Sequence, residues 1–439
     1  MLVMKFGGSS LANAERIKNV GEIIKKNINH KPVIVVSAVG GVTDLLIELS
    51  KEAIIGKKQK ILLNDILHKH YEIINLLKIN KNIIDKEVKL LSDLTYGVSL
   101  LKEMNQGIAD NFVSFGERFS ARIVASYLKS LGINSEAKDA FDIGIIINKE
   151  SKFEVSKDKY HEIKEHISKT NHVLVITGFI AKDTKGKITT LGRGGSDYTA
   201  TIIGAAINAE EVQIWTDVDG IMTADPKLVK NPKKLDSVSF EEASEIAFLG
   251  AKVLHPKTIL PAIEKNIPVR ILNTFNPKNL GTVVSNNIIK EPRVSSITYK
   301  KSIKVINIST PRMLESKGFL RRIFEVFDIN NISVDMVSTS EINISVTIDN
   351  LKNQRIDKAE SELKEIGKVD IKENRAIISV VGNKMIHVPN VMGIIFSALN
   401  NIDVEMISSS MSEINQSFVI KEEQLEEAVK RLHKAFFGV

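Results

Sequence analysis

Cysteine is absent from this 439-residue chain, which excludes disulfides, thiolate metal sites and a cysteine nucleophile together. A reducing cytoplasm is the expected setting. Aromatic residues make up only 5% of the chain and do not interleave with basic ones, so the base-stacking surfaces of nucleic-acid binders are not expected. No apolar run is long enough to cross a bilayer, and the opening MLVMKFGGSS is apolar for only four residues before Lys5, too few for a signal peptide or a span. A dominant charge sign is missing too: 60 basic residues against 53 acidic leave +7, which favours solubility and attraction of anionic small molecules. Neither nucleic acid nor a membrane is therefore an expected partner. What is present, 43% hydrophobic and 26% charged residues, suffices to fold the chain throughout, and its length predicts two or three folded units.

The first 290 or so residues alternate short β-branched runs with longer helical patterns, the signature of an α/β domain around a largely parallel sheet. The predicted strands are Leu2 to Phe6, Val33 to Ser37, Val173 to Thr177, Glu211 to Thr216 and Val269 to Leu272, several ending in glycine-containing or polar loops. Ligands of open α/β sheets collect at such strand ends. Glu48 to Lys102 carries Leu and Ile at helical spacing and predicts a helical insertion. From about Lys300 the chain repeats itself: Ser333-Val334-Asp335-Met336 is echoed by Ile402-Asp403-Val404-Glu405-Met406, and each copy has a helix pattern, Phe319 to Phe327 and Met392 to Leu399. Two copies of a βαβ-type unit predict paired modules with room for an effector at their junction.

Several motifs carry chemistry. Lys5-Phe6-Gly7-Gly8-Ser9-Ser10 is a strand ending in two glycines and two hydroxyls before a helix, a shape that lets backbone N–H groups close on phosphate oxygens while Lys5 neutralises charge. Without Lys5 it would read equally well as a plain strand-to-helix turn. Thr190-Leu191-Gly192-Arg193-Gly194-Gly195-Ser196-Asp197 combines three glycines, a guanidinium fork for a carboxylate and polar residues at a helix start, where Ser196 or Asp197 alone would read as a helix cap. Thr216 and Asp217 end a strand in an acidic turn, and Lys252 offers a second phosphate contact. Glu117 lies off the apolar stripe Phe112, Phe115, Phe119 and Ile123, so by itself it reads as a solvated surface residue. Ser37 and Thr43 flank two glycines, again suggesting close approach to a ligand.

Taken together, KFGGSS, VVSAVGGVTD, FGERFSA, TGFIA, TTLGRGGSDYTA, TDVDGIMTADP and GAKVLHPKT resemble the aspartate kinase family within the amino-acid kinase group, in the family's order. The two-copy region resembles tandem ACT modules. The resemblance implies an amino-acid kinase fold over residues 1–290, with a largely parallel central sheet flanked by helices, then two α+β (βαββαβ) ACT modules at 300–372 and 373–439, able to exchange strands. It implies phosphorylation of L-aspartate by ATP with Mg²⁺, the first step towards lysine, threonine and methionine, in the cytoplasm. Lys5 and Asp197 are the implied catalytic residues, and Lys5, Gly7, Gly8, Thr216, Asp217 and Lys252 the nucleotide contacts. Arg193 would take the aspartate α-carboxylate and Glu117 its ammonium, with Ser37, Thr43, Phe179 and Ser196 shaping the pocket. Asp197 would also organise lysine and metal around the transferring group, and no residue is assigned as a metal ligand. The family often has Tyr where this chain has Met222 and Arg where it has Lys227, so these two rank below Lys252 as ATP ligands.

The first ACT copy is similar to that of lysine-inhibited members, which implies an effector site of Met313, Ser316, Gly318, Phe319, Leu320, Ser333, Val334, Asp335, Thr339, Ser340 and Glu341. A helix start near Gly318 suits a carboxylate, and Asp335 or Glu341 an ammonium; lysine carries both. A homodimer or homotetramer through the ACT modules is the implied assembly. Competing expectations are another amino-acid kinase, for acetylglutamate or glutamate, and a catalytically silent amino-acid sensor.

Overall fold

A strand buried on both faces of a parallel sheet reads as an unbroken apolar run, and Leu2–Phe6 is one with a single charge, Lys5, in it. In the computed structural model this strand lies at the middle of an eight-stranded sheet. The order is Ser237–Val238, Thr282–Val284, Val269–Asn273, Glu211–Thr216, Leu2–Phe6, Val33–Val36, Val173–Thr177 and Ser135–Lys138. Leu2–Phe6 pairs in parallel with both neighbours, Lys5 facing Val35 on one side and Ile214 on the other. Only Thr282–Val284 runs antiparallel to its neighbour Val269–Asn273. The parallel register brings the ends of four strands, at Phe6, Val36, Thr177 and Thr216, to one edge of the sheet. The structure describes residues 1–148, 154–155, 159–250, 254–286, 291–313, 317–350, 353–409 and 413–438.

The predicted helical insertion forms three helices, Val42–Ile55, Gln59–Leu77 and Asp85–Leu101. Their apolar faces join the long helix Gln106–Ser130 in one core containing Leu46, Ile66, Ile74, Leu91, Phe112 and Phe119. Each such side chain contributes roughly 1.5–3 kcal/mol by leaving water. A small four-stranded sheet, Glu154–Val155, Ile146–Asn148, Ile180–Asp183 and Ile188–Thr190, extends the same unit.

The chain forms two units that do not meet at one cut: Met222–Leu235 and Glu241–Lys252 belong with the C-terminal unit, and Val253–Ile288 with the first. The second unit is built on a six-stranded antiparallel sheet. Its order is Val334–Thr339, Asn343–Asp349, Arg293–Ser309, Lys368–Asn383, Asn415–Lys421 and Met406–Ser409. The two long central strands each serve both ACT copies. Residues 303–309 pair with 368–375, whereas 293–300 pair with 377–383 and so supply the second copy with an edge strand from ahead of the first. Two separate cores result, one around Ile306, Phe319, Ile323, Phe327 and Val346, the other around Ile378, Val391, Ile395, Phe418 and Leu432. Among the described residues no helix is long and apolar enough to cross a membrane.

Candidate active site

A lysine amid an apolar strand needs a partner, because burying an unpaired ammonium is costly. Lys5 finds it in Asp197: Nζ and Oδ1 lie 2.5 Å apart, with both side chains nearly buried. The two open onto a cavity of about 550 Å³ at the strand-end edge of the large sheet. Its walls also include Gly8, Ser37, Thr43, Glu117, Phe179, Arg193 and Ser196. Residues predicted from five separate stretches of sequence thus meet in one place.

Local backbone geometry explains the glycines. Gly194 adopts φ +70° as it starts the helix Gly195–Ile207, and a Cβ there would lie 2.8 Å from Thr258 Cγ2. Because Gly194 is itself the cap and no side chain caps this helix, neither Ser196 nor Asp197 is spent on capping. Both face the cavity instead. At Gly8 a Cβ would stand 2.9 Å from the Ala38 carbonyl, so the KFGGSS turn and the loop after Val33–Val36 pack backbone against backbone. Phe179 holds φ +64°, a left-handed conformation costly for a bulky residue. Its N–H donates to Thr199 Oγ1 at 3.2 Å, and its carbonyl accepts from Leu191 N at 2.8 Å, which together hold that strained turn.

Glu117 departs from the solvated reading. It is 3% exposed, because the helix Gln106–Ser130 is buried on nearly every face rather than along one stripe. Its Oε1 accepts from the Ala38 N–H at 3.0 Å, and Oε2 is buried with no hydrogen-bond partner among the described residues. Burial pushes the carboxyl up to about 8, and the Ala38 hydrogen bond only partly offsets this. Arg193, in contrast, is exposed at the cavity wall, and no carboxylate of the described residues pairs with it. An acid that needs a cation and a cation that needs an acid therefore look into one cavity.

Other expected contacts stand elsewhere. The Gly7 N–H is already used, donating to the Trp215 carbonyl at 3.1 Å, so phosphate donors must begin at Gly8. Thr216 and Asp217 hydrogen-bond each other at 3.1 Å at their strand end, outside the cavity walls. Met222 and Lys227 belong to the second unit, where the Met222 carbonyl accepts from Ser296 Oγ at 2.9 Å and the Lys227 N–H donates to Asp225 at 2.8 Å. Lys252 and Ser316 lie outside the described residues. In the second unit Gly318, φ +79°, starts the helix Phe319–Ile329, with Leu320, Ser333, Thr339, Ser340 and Glu341 exposed and Met313 and Val334 half-buried. The Phe319 ring is buried in the first ACT core, which leaves its backbone alone for a ligand. Asp335 is already engaged, its Oδ2 lying 2.6 Å from Lys300 Nζ.

Two residues that motif reading passed over hold the cavity loops. Lys69 Nζ donates to the Gly40 carbonyl at 2.6 Å, and Arg16 Nη1 donates to the Ser9 carbonyl at 2.7 Å. Lys69 acts on a loop 29 positions away and Arg16 on one only seven away, but for both only the helical periodicity around them was visible.

A glycine-lined cavity at the strand ends of a parallel sheet, with Lys5 and Arg193 in its walls, defines an enzyme for small charged substrates. The amino acid kinase family matches residues 1–273, and the ACT domain matches twice, at 306–364 and 378–436. The chain is 38% identical to Aspartokinase 1, chloroplastic, of Arabidopsis thaliana, across 99% of this chain and 80% of that one. It superimposes on E. coli aspartokinase III in complex with aspartate and ADP (R-state) with TM-score 0.85 and 29% identity, covering 100% of both chains. The complex of the same enzyme with lysine and aspartate (T-state) gives TM-score 0.81 at 29% identity, covering 100% of this chain and 99% of that one. The chain belongs to the amino acid kinase family, among its aspartokinases with tandem ACT domains.

Proposed function

We propose that the protein transfers the γ-phosphoryl of ATP to the β-carboxylate of L-aspartate, giving ADP and 4-phospho-L-aspartate. The observation that carries this is the presence of a buried carboxyl with one unpartnered oxygen, Glu117 Oε2, and a guanidinium that no described carboxylate pairs with, Arg193, in the cavity that holds Lys5 and Asp197. Glu117 takes the substrate ammonium and Arg193 its α-carboxylate, with Ser37, Thr43, Phe179 and Ser196 shaping the space between. The β-carboxylate is ionised at neutral pH and needs no general base. One of its oxygens bonds to the γ-phosphorus as the bond to the ADP oxygen breaks, and Lys5, oriented by Asp197, neutralises charge on the transferring group. Gly8, whose missing Cβ keeps the loop close to the cavity, suits the phosphates, whereas the Ser10 N–H is spent on the Gly7 carbonyl; Thr216, Asp217 and Lys252 complete the nucleotide contacts, with Met222 and Lys227 secondary. Mg²⁺ would shield the phosphate oxygens.

The same reading assigns residues 1–290 to catalysis and 300–372 and 373–439 to ACT modules, with 293–300 lent to the second copy. L-Lysine inhibits, placing its carboxylate at the start of Phe319–Ile329 and its side-chain ammonium on exposed Glu341, since Asp335 would first have to release Lys300. Assembly as a homodimer or homotetramer through the ACT modules and a cytoplasmic role in lysine biosynthesis complete the proposal. The test is ATP-dependent ADP release with aspartate, acetylglutamate or glutamate as acceptor and lysine or threonine added. Aspartate turnover suppressed by lysine is expected; turnover of another acceptor in its place, or none at all with lysine still bound, would defeat the reading.

A further inference from the structure

We infer that a second cavity of the first unit, about 350 Å³ and sharing no lining residue with the first, binds a small organic monoanion, a carboxylate attached to a flat apolar body. It lies between the helices Asp85–Leu101 and Gln106–Ser130 and the small sheet. Its volume is in the range of small-molecule sites.

Two cations supply the anion site. Arg118 is nine-tenths buried on the wall of this cavity, its guanidinium 4.8 Å above the Phe115 ring. It shares the carboxylates of Glu87 and Asp139 with Arg122, and Arg122 holds the better positions, with Nε 3.0 Å from Glu87 and Nη1 against Asp139. Arg118 is left 3.8 Å from Glu87, and its Nε, 3.1 Å from Asp139, is off line and makes no hydrogen bond among the described residues. These four groups balance in charge, yet Arg118 keeps donor capacity to spare. Lys182 is the second cation: Nζ sits 4.2 Å over the Phe141 ring, and no carboxylate of the described residues pairs with it. With exposed Lys86 and Asp142 included, the remaining lining carries one net positive charge, which matches a monoanion. Phe115, Phe141, Leu90 and Ile188 together give the cavity an apolar wall beside those cations, which suits a flat apolar body.

The test titrates phenylacetate, and its neutral analogue phenylacetamide, into the full-length protein by calorimetry and ligand-observed NMR, with excess aspartate present to fill the first cavity. Arg118 is not the residue to change, since its loss leaves Glu87 and Asp139 buried and short of positive charge. Lys182→Met and Ile188→Trp serve instead, the first removing the cation and the second filling the space, with their unfolding temperatures measured to confirm folding. Phenylacetate is expected to bind at millimolar concentration, the amide and the Lys182→Met protein to weaken binding roughly tenfold, and Ile188→Trp to abolish it. No binding up to tens of millimolar, or binding unchanged in both folded variants, overturns the inference.

Discussion

Glu117 is a buried carboxyl whose environment favours the neutral form until a cation arrives. Its folded pKa of about 8 exceeds its unfolded value of 4.5, so its contribution to stability is complete below pH 4.5 and is lost as pH rises through 8. Glu117→Gln keeps an acceptor for the Ala38 N–H without that cost. The variant is expected to unfold at a higher temperature than the parent at pH 8 while its KM for aspartate rises at least tenfold. Aspartate binding should also release close to one proton at pH 7, because the incoming ammonium stabilises the ionised carboxylate. Titration calorimetry in buffers of different ionisation enthalpy reads that proton directly, and a buffer-independent heat would refute it. His70 has the opposite sign: burial lowers its pKa from 6.5 to about 4, with Nδ1 on the Ile66 carbonyl at 2.7 Å and the ring against Phe119. Its contribution is present above pH 6.5 and lost as pH falls towards 4, on the order of 3 kcal/mol in all. His70→Gln is expected to flatten the acid limb of a denaturant-midpoint curve between those values.

Strands were legible because parallel pairing buries both faces: Leu2–Phe6 and Val173–Thr177 stand where largely apolar runs placed them, and Glu211–Thr216 where Val212, Ile214 and Trp215 did. The cavity was legible in part, since Lys5, Ser37, Arg193 and Asp197 sit in or beside glycine-containing loops whose spacing is local information. Burial of Glu117 was not, because a helical stripe announces one apolar face and cannot say that a helical insertion will cover the others. Lys69 was hidden for a related reason, its partner Gly40 lying 29 positions away. Lys69→Met should loosen the Gly40–Gly41 turn and raise the KM for aspartate several-fold with kcat less affected, and Lys69→Arg should recover most of the loss. An unchanged KM would mean that the loop holds its shape without the ammonium. Glu117 and Arg118 are neighbours on one helix that face different cavities, so an anion drawing on Arg118 has a short route to the aspartate site. Saturating phenylacetate and aspartate are each expected to change the other's affinity by the same factor, as linkage requires.

For the whole molecule, regulation demands that an effector bind one state better than another, and the first ACT copy contains a built-in competitor. Lys300 presents its own ammonium to Asp335 at 2.6 Å and to Asp349 at 2.7 Å. Burial works against that charge, but the two carboxylates outweigh it and raise the Lys300 pKa, while burial raises the Asp335 carboxyl above its ordinary value and Lys300 only partly offsets this. Lysine can place its side-chain ammonium on Glu341 without disturbing this pair, or it can evict Lys300 and take Asp335. The two routes separate experimentally. If Glu341 is the partner, Glu341→Gln weakens lysine inhibition about tenfold and Lys300→Met leaves it near the parent value. If eviction occurs, Lys300→Met removes the competitor and inhibition tightens, while the unliganded variant, left with a buried unpaired Asp335, unfolds several degrees lower and regains that loss when lysine is added. Inhibition constants and unfolding temperatures of the two variants, with and without lysine, distinguish the routes; we expect the first, because exposed Glu341 requires no bond to be broken.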